Sequence, residues 1–193
     1  MVQVKKEEVR TGILRSAYRL FKSRGYVATT TTAIARGARV SEANLYKYFG
    51  SKFEILFALY DPWLRERFEA LSLSVVKESD PRSRVRRVLQ ALWIDIPKDD
   101  NGFTNNLMQA LASVKRSDGY RPELLNWAEE RIELLLLEAM PEERRARLAA
   151  AQLAHILMMA QDGFAMNAHL SPDRPCSDAS IELMCDLICG TKQ

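Results

Sequence analysis

Apolar residues recur every three to four positions along almost the whole chain, and no stretch alternates apolar and polar residues as a half-buried strand does. That spacing puts side chains on one stripe of a helix, which confines the chain to an all-α fold. Val9, Ile13, Ala17 and Phe21, flanked by Leu14 and Leu20, predict a first helix over about 5–24, stopped by Gly25. Thr29 or Thr30, in a run of four threonines, is a natural N-cap for a short second helix ending at Gly37. Ser41 opens a third helix through about Lys47. Ser51 opens a long fourth through Leu56, Leu59, Leu64, Phe68 and Leu71. Pro81, Pro97, Pro122, Pro141, Pro172 and Pro175 punctuate the remainder into helical segments at about 82–96, 103–116, 122–140, 142–169 and 177–190. About nine helices result. Only 8 glycines and 7 prolines among 193 residues leave little material for a loop-rich or β-rich alternative.

Charge divides the chain in two. Through Lys52 there are 11 Lys and Arg against 3 Asp and Glu, and beyond it 17 against 22, although the whole carries only +3. A basic module over 1–52 followed by an acidic remainder over 53–193 points to a polyanion as partner of the first part.

Within the basic module, two short helices separated by a tight turn have helix-turn-helix proportions. Ile34, Ala35, Ala38, Val40 and Leu45 form the apolar seam, which leaves Ser41, Glu42, Ala43, Asn44 and Lys47 facing outward. The amide of Asn44 suits the donor and acceptor edge of adenine, and Tyr46, Tyr48 and Lys52 add donors for phosphate oxygens. Thr30, at the second helix's start, and Arg39, in the turn, complete the candidate DNA-binding set. Glu42 reads two ways: it accepts from cytosine N4, or it favours the first turn of its helix.

From Ile13 to Lys52 the sequence ILRSAYRLFKSRGYVATTTTAIARGARVSEANLYKYFGSK resembles the DNA-binding domain of TetR-family regulators. The AYRLFKSRGY helix, the Thr-Ile-Ala segment and the Leu-Tyr-Lys-Tyr-Phe-Gly-Ser-Lys run carry the likeness. It implies a three-helix DNA-binding domain, a homodimer on palindromic double-stranded DNA, and a helical effector-binding and dimerisation domain from the later helices. It also implies phosphate contacts from Tyr46, Tyr48 and Lys52, a major-groove position for Ser41 to Asn44, and repression as the commoner mode. Two residues depart from the pattern: Arg39 stands at the turn position usually held by Gly, and Glu42 where Lys is frequent. A non-glycine residue with φ above zero at the turn carries a modest penalty.

The segment 142–169 is apolar around most of its circumference. Leu153, Ile156, Leu157, Ala160 and Phe164 form one face, and Ala154, Met158, Gln161 and Ala165 a flatter seam. Such a helix requires burial on more than one side. The segments 142–169 and 177–190 are therefore expected to build a four-helix dimer interface across the flat seam. Gln161-Asp162-Gly163-Phe164 is similar to a motif frequent in this helix of TetR-like proteins. Trp93, Phe103, Met108, Trp127, Met159 and Asp162 are candidates for an effector site, with Asn105, Gln109 and His155 as further polar groups. The effector expected there is a largely apolar small molecule with one or two polar groups, cationic if Asp162 faces it.

Cys185 and Cys189 lie four apart, a spacing open to a metal or redox pair. They also continue the stripe of Ile181, Met184 and Ile188, which favours packing. No phosphate-cradling glycine loop, nucleophile elbow or paired Cys-x-x-Cys is present, so no catalytic residue, cofactor or metal is expected. A helical scaffold accounts for the helices but not for the basic start. No apolar run approaches the ~20 residues of a membrane span, and residues 1–10 are charged, so a cytoplasmic location is expected.

Overall fold

Local capping residues set the element boundaries in the computed structural model, which describes residues 2–100, 102–113, 122–171 and 175–191. The order is α1 (Val2–Ala28), α2 (Thr31–Gly37), α3 (Glu42–Leu45), α4 (Lys52–Val75), α5 (Pro81–Gln90), a π-helical turn (Ala91–Asp95) and α6 (Ile96–Asp99). Then follow α7 (Phe103–Ser113), α8 (Glu123–Ala139), α9 (Glu142–Arg145), α10 (Ala150–Leu170) and α11 (Asp178–Cys189). No strand occurs among the described residues. Thr30, Ser41 and Ser51 each accept a backbone N–H three residues on, from Ala33, Asn44 and Glu54 at 3.0–3.1 Å. Glu54 returns the bond by accepting from Gly50 N at 2.6 Å, a close variant of the capping box. Asp80 with Pro81, and Ser177, open α5 and α11 in the same way. Gly25 leaves the helical region inside α1, at φ 77°, ψ 171°.

Two boundaries differ from the sequence expectation. The segment 82–96 does not end before Pro97; it continues through the π turn into α6, with Pro97 in that helix's first turn. In a regular α-helix a proline ring collides with the carbonyl four residues back, and the wider turn just before Pro97 relieves this. The segment 142–169 is not one helix but α9 and α10. The α9 turn is held apart by Arg144, whose Nε donates to Ile188 O at 3.0 Å and whose Nη2 donates to Leu187 O, satisfying bare carbonyls at the end of α11. Pro172 and residues 114–116 lie outside the described residues.

The chain divides into two compact units, one comprising Met1–Leu64 with Asn101–Tyr120, the other Arg65–Asp100 with Arg121–Gln193. The first thus takes in α7 and the start of α4 besides residues 1–52. Its core joins Ile13, Ala17 and Phe21 of α1 to Ile34, Leu45, Ile55 and Leu56, all buried. Phe103 of α7 packs its ring 5.3–6.0 Å from those of Tyr18, Tyr60 and Trp63. Gln109 Oε1 accepts the N–H of Val27 at 3.2 Å, just after the Gly25 break, and Asn106 Nδ2 donates to Phe21 O. α7 therefore braces the end of α1.

In the second unit α5, α8, α10 and α11 bury Val85, Leu89, Ile132, Leu136, Leu157 and Ile181. Each such side chain contributes about 1.5–3 kcal/mol on leaving water. Arg82 joins α5 to α11 through Asp186 at 2.7 Å and Glu182 at 2.6 Å, and Arg86 pairs with Glu182 as well. Cys185 is buried on this seam and Cys189 half-buried, and burial raises both thiol pKa values. Ala154, Met158, Gln161 and Ala165, expected at a dimer interface, are instead buried within the unit. The phase of an almost wholly apolar helix does not say which face its own domain claims.

Close packing in the first unit rests on Gly37, where a Cβ would stand 2.2 Å from Ser16 Oγ. Ser16 is buried and donates to Ile34 O at 2.9 Å, so it has little room to yield. Gly37→Ala should lower stability by about 1–3 kcal/mol in urea denaturation. Adding Ser16→Ala should recover part of the loss, and strictly additive losses would show that the two residues do not meet.

Candidate nucleic-acid interface

The helix-turn-helix is built from three local devices. Thr30 caps α2, Ser41 caps α3, and the turn between them closes by bonds from Val40 N to Ala35 O and from Arg39 N to Arg36 O. That pair of bonds is a Schellman motif, which places the residue after the helix in the left-handed region. Arg39 occupies it at φ 58°, alone among the described non-glycine residues. Its side chain is exposed, as are those of Thr30, Arg36, Ser41, Ala43, Tyr46 and Lys47, while Asn44 and Tyr48 are half-buried. Ile34, Ala35 and Leu45 form the buried seam; Ala38 and Val40 are half-buried at its edge.

Glu42 is engaged within the unit. Its two carboxylate oxygens accept from Thr31 Oγ1 at 2.5 Å and Thr32 Oγ1 at 2.9 Å, and these bonds hold its pKa below the usual value. Tyr46 OH donates to Thr31 Oγ1 at 3.2 Å, completing a chain from α3 across α2 and back. Lys52 likewise turns inward. Its ammonium donates to Tyr26 O at 2.7 Å and Thr29 O at 2.8 Å and lies 4.1 Å from the Tyr26 ring centroid. Burial lowers its pKa. Neither tie was legible in the sequence; the helical spacing of Glu42 opposite the threonine run was the one available hint.

A family model described as "Bacterial regulatory proteins, tetR family" matches residues 13–59. The nucleoid occlusion factor SlmA of Idiomarina loihiensis is 31% identical over 140 residues, 69% of this chain and 69% of that protein. The chain belongs to the TetR family. The matched residues contain the helix-turn-helix described above. The HTH-type transcriptional regulator HbdR of an Aromatoleum strain is 36% identical over 115 residues, 57% of this chain and 49% of HbdR, so that match spans about half of the relative's length. The Bacillus subtilis regulator FadR, solved with stearoyl-CoA, superposes with a TM-score of 0.67 at 16% identity over 94% of this chain and 99% of that one. That likeness is one of fold. No helix among the described residues is long and apolar enough to cross a membrane.

The six candidate effector residues fall in both units. Phe103, buried, and Met108, half-buried, belong to the first; Trp93, Trp127, Met159 and Asp162 belong to the second. Trp93 is buried and its indole N–H donates to Leu157 O at 3.2 Å. Trp127 is half-buried, packed edge-on against Phe68 with the guanidinium of Arg65 4.2 Å from its ring centroid, and Met159 is exposed. Gln109 and His155, the further polar groups, bond to Val27 N and Glu129 Oε1. Asp162 is half-buried, and burial pushes its pKa up to about 6.

Two experiments probe these side chains. Lys52→Met strands the carbonyl of Thr29, while Tyr26 O keeps its bond from Thr29 N, and should cost about 1–3 kcal/mol of stability. Unchanged stability with a salt slope of DNA binding reduced by about 1 would instead make Lys52 a phosphate contact. Asp162 holds its proton in the folded state between its ordinary 3.8 and about 6. Its stabilising contribution is therefore complete below pH 3.8 and is lost as pH rises through 6. Asp162→Asn should be more stable than the parent at pH 7.5, by about 1–2 kcal/mol after allowing for partial exposure, and no more stable at pH 3.5. Parallel stability–pH curves would refute this.

Proposed function

We propose that the chain works as a homodimer on a palindromic operator, represses transcription there, and is released by a small-molecule effector. The single observation carrying the dimer is an uncovered apolar stripe on α10 and α11. Ile156 and Leu183 are 58% and 60% exposed, and Met159, Leu170 and Leu187 are exposed with them. Gly163 lies on the same face of α10, with nothing within 4 Å of the position a Cβ would take. A stripe that a glycine lets approach closely pairs with its own copy about a twofold axis. Twofold symmetry is what reads a palindrome, with the two α3 helices one turn of DNA, ~34 Å, or a multiple of it apart.

In this reading Thr30, Ser41, Ala43, Asn44, Lys47, Tyr46 and Tyr48 face the DNA, supported by their position on or beside the capped ends of α2 and α3. Arg39 lends a guanidinium to a phosphate. Trp93, Trp127 and Asp162 of the second unit serve the effector, which the stearoyl-CoA bound to FadR supports as a small molecule with an apolar part. α4 contributes residues to both units and carries the coupling, for which ~1–3 kcal/mol of differential affinity suffices. A cytoplasmic location follows from that role.

Light scattering should give a dimer at micromolar concentration, and a gel shift should find a palindromic site in the DNA upstream of its own coding sequence. Ile156→Asp with Leu183→Asp should yield a folded monomer that binds the site far more weakly. A wild-type monomer would remove both the dimer and the operator symmetry.

A further inference from the structure

Gln161 is a polar side chain sealed into the second unit with nothing to bond. It is 2% exposed, and neither its amide nitrogen nor its carbonyl oxygen has a hydrogen-bond partner. A buried amide left bare costs the full desolvation of both atoms, and native proteins retain few such groups. Its surroundings are specific. On α10, Leu157 lies one turn before it and Phe164 three residues after, on the same face. Trp93 bridges those two residues: its indole donates to Leu157 O at 3.2 Å and its ring lies 5.2 Å from that of Phe164. Trp93 itself is presented by the π-helical turn, a rare distortion that recurs at functional sites.

We infer that Gln161 is the polar anchor of the effector site, and that the effector is a neutral molecule whose apolar body meets Trp93 and Phe164 and whose amide or hydroxyl group pairs with Gln161. This rests on the effector reading above. The chemistry follows from the amide, which offers one kind of atom that donates and one that accepts. A carboxylate offers only acceptors and leaves Gln161 Oε1 bare. An ammonium offers only donors and leaves Nε2 bare. An amide or a hydroxyl satisfies both.

The test uses the full chain with four probes of one length: hexanamide, hexan-1-ol, hexanoate and hexylamine. Hexanamide and hexan-1-ol should raise the melting temperature by about 2–4 °C and hexanoate and hexylamine by less. Hexanamide should also weaken operator binding at least tenfold. Gln161→Met, near-isosteric without the amide, should melt no lower than the parent and lose at least tenfold in hexanamide affinity; Gln161→Leu is the second variant should the first not fold. Operator release by hexanamide that is equal in the parent and in Gln161→Met overturns the role of Gln161 while leaving the effector reading intact. A response confined to hexylamine or hexanoate, or none to any probe, overturns the proposed chemistry. A Gln161→Met protein that melts lower than the parent overturns it too, by showing that the amide is already satisfied within the protein.

Discussion

One ammonium group holds the DNA-binding unit together at the point where its helices change direction. Gly25 takes the chain out of the α1 helix, Tyr26 O then accepts a turn bond from Thr29 N at 3.2 Å, and Lys52 Nζ donates to both Tyr26 O and Thr29 O. Because Lys52 is also the first residue of α4, the end of α1, the approach to α2 and the start of α4 are fixed by the same charge. The Tyr26 ring beneath it adds a cation–π contact in a half-buried setting, where such contacts are stronger than at the surface. Gln109 and Asn106 of α7 brace the other side of the same break.

Recognition depends on that frame, because α3 is a single turn and a single turn has no stability of its own. Ser41 satisfies its first donors, Leu45 plugs it into the seam, and Glu42 ties it to the threonines that open α2. The departure at Glu42 is thereby explained without invoking a base. An acid among basic neighbours is tolerated because two hydroxyls take up its charge, and Tyr46 extends the chain to the exposed surface. The departure at Arg39 is likewise local: the Schellman bonds require the left-handed conformation, and an exposed arginine accepts the strain at a modest cost.

The second unit distributes its polar groups differently. Its seam between α5 and α11 is closed by paired charges, Arg82 and Arg86 against Asp178, Glu182 and Asp186, with the cysteines packed as small apolar groups beside them. Deeper in, Gln161 has no partner and burial pushes the pKa of Asp162 up to about 6. The π turn that carries Trp93 lies against α10 close to Gln161, with the indole N–H of Trp93 on Leu157 O.

The sequence by itself determined the helices, their caps and the module that meets DNA, because each of those rests on bonds between residues three to five apart. Thr30, Ser41, Ser51, Gly25 and the turn at Arg39 were legible for that reason, and the charge division at Lys52 needed only counting. What Lys52, Glu42 and Gln161 do was decided by tertiary structure alone. The partners of Lys52 lie 23 and 26 residues away, and those of Glu42 10 and 11 residues away across a turn. The outward face of α10 belongs to the same class. Ala154 and Ile156 are equally apolar neighbours on one helix, and only the packing of α8, the π turn and α6 against it buries the first and leaves the second exposed. Hydrophobic period fixes that a face must be covered; which neighbour covers it is a property of the assembled fold.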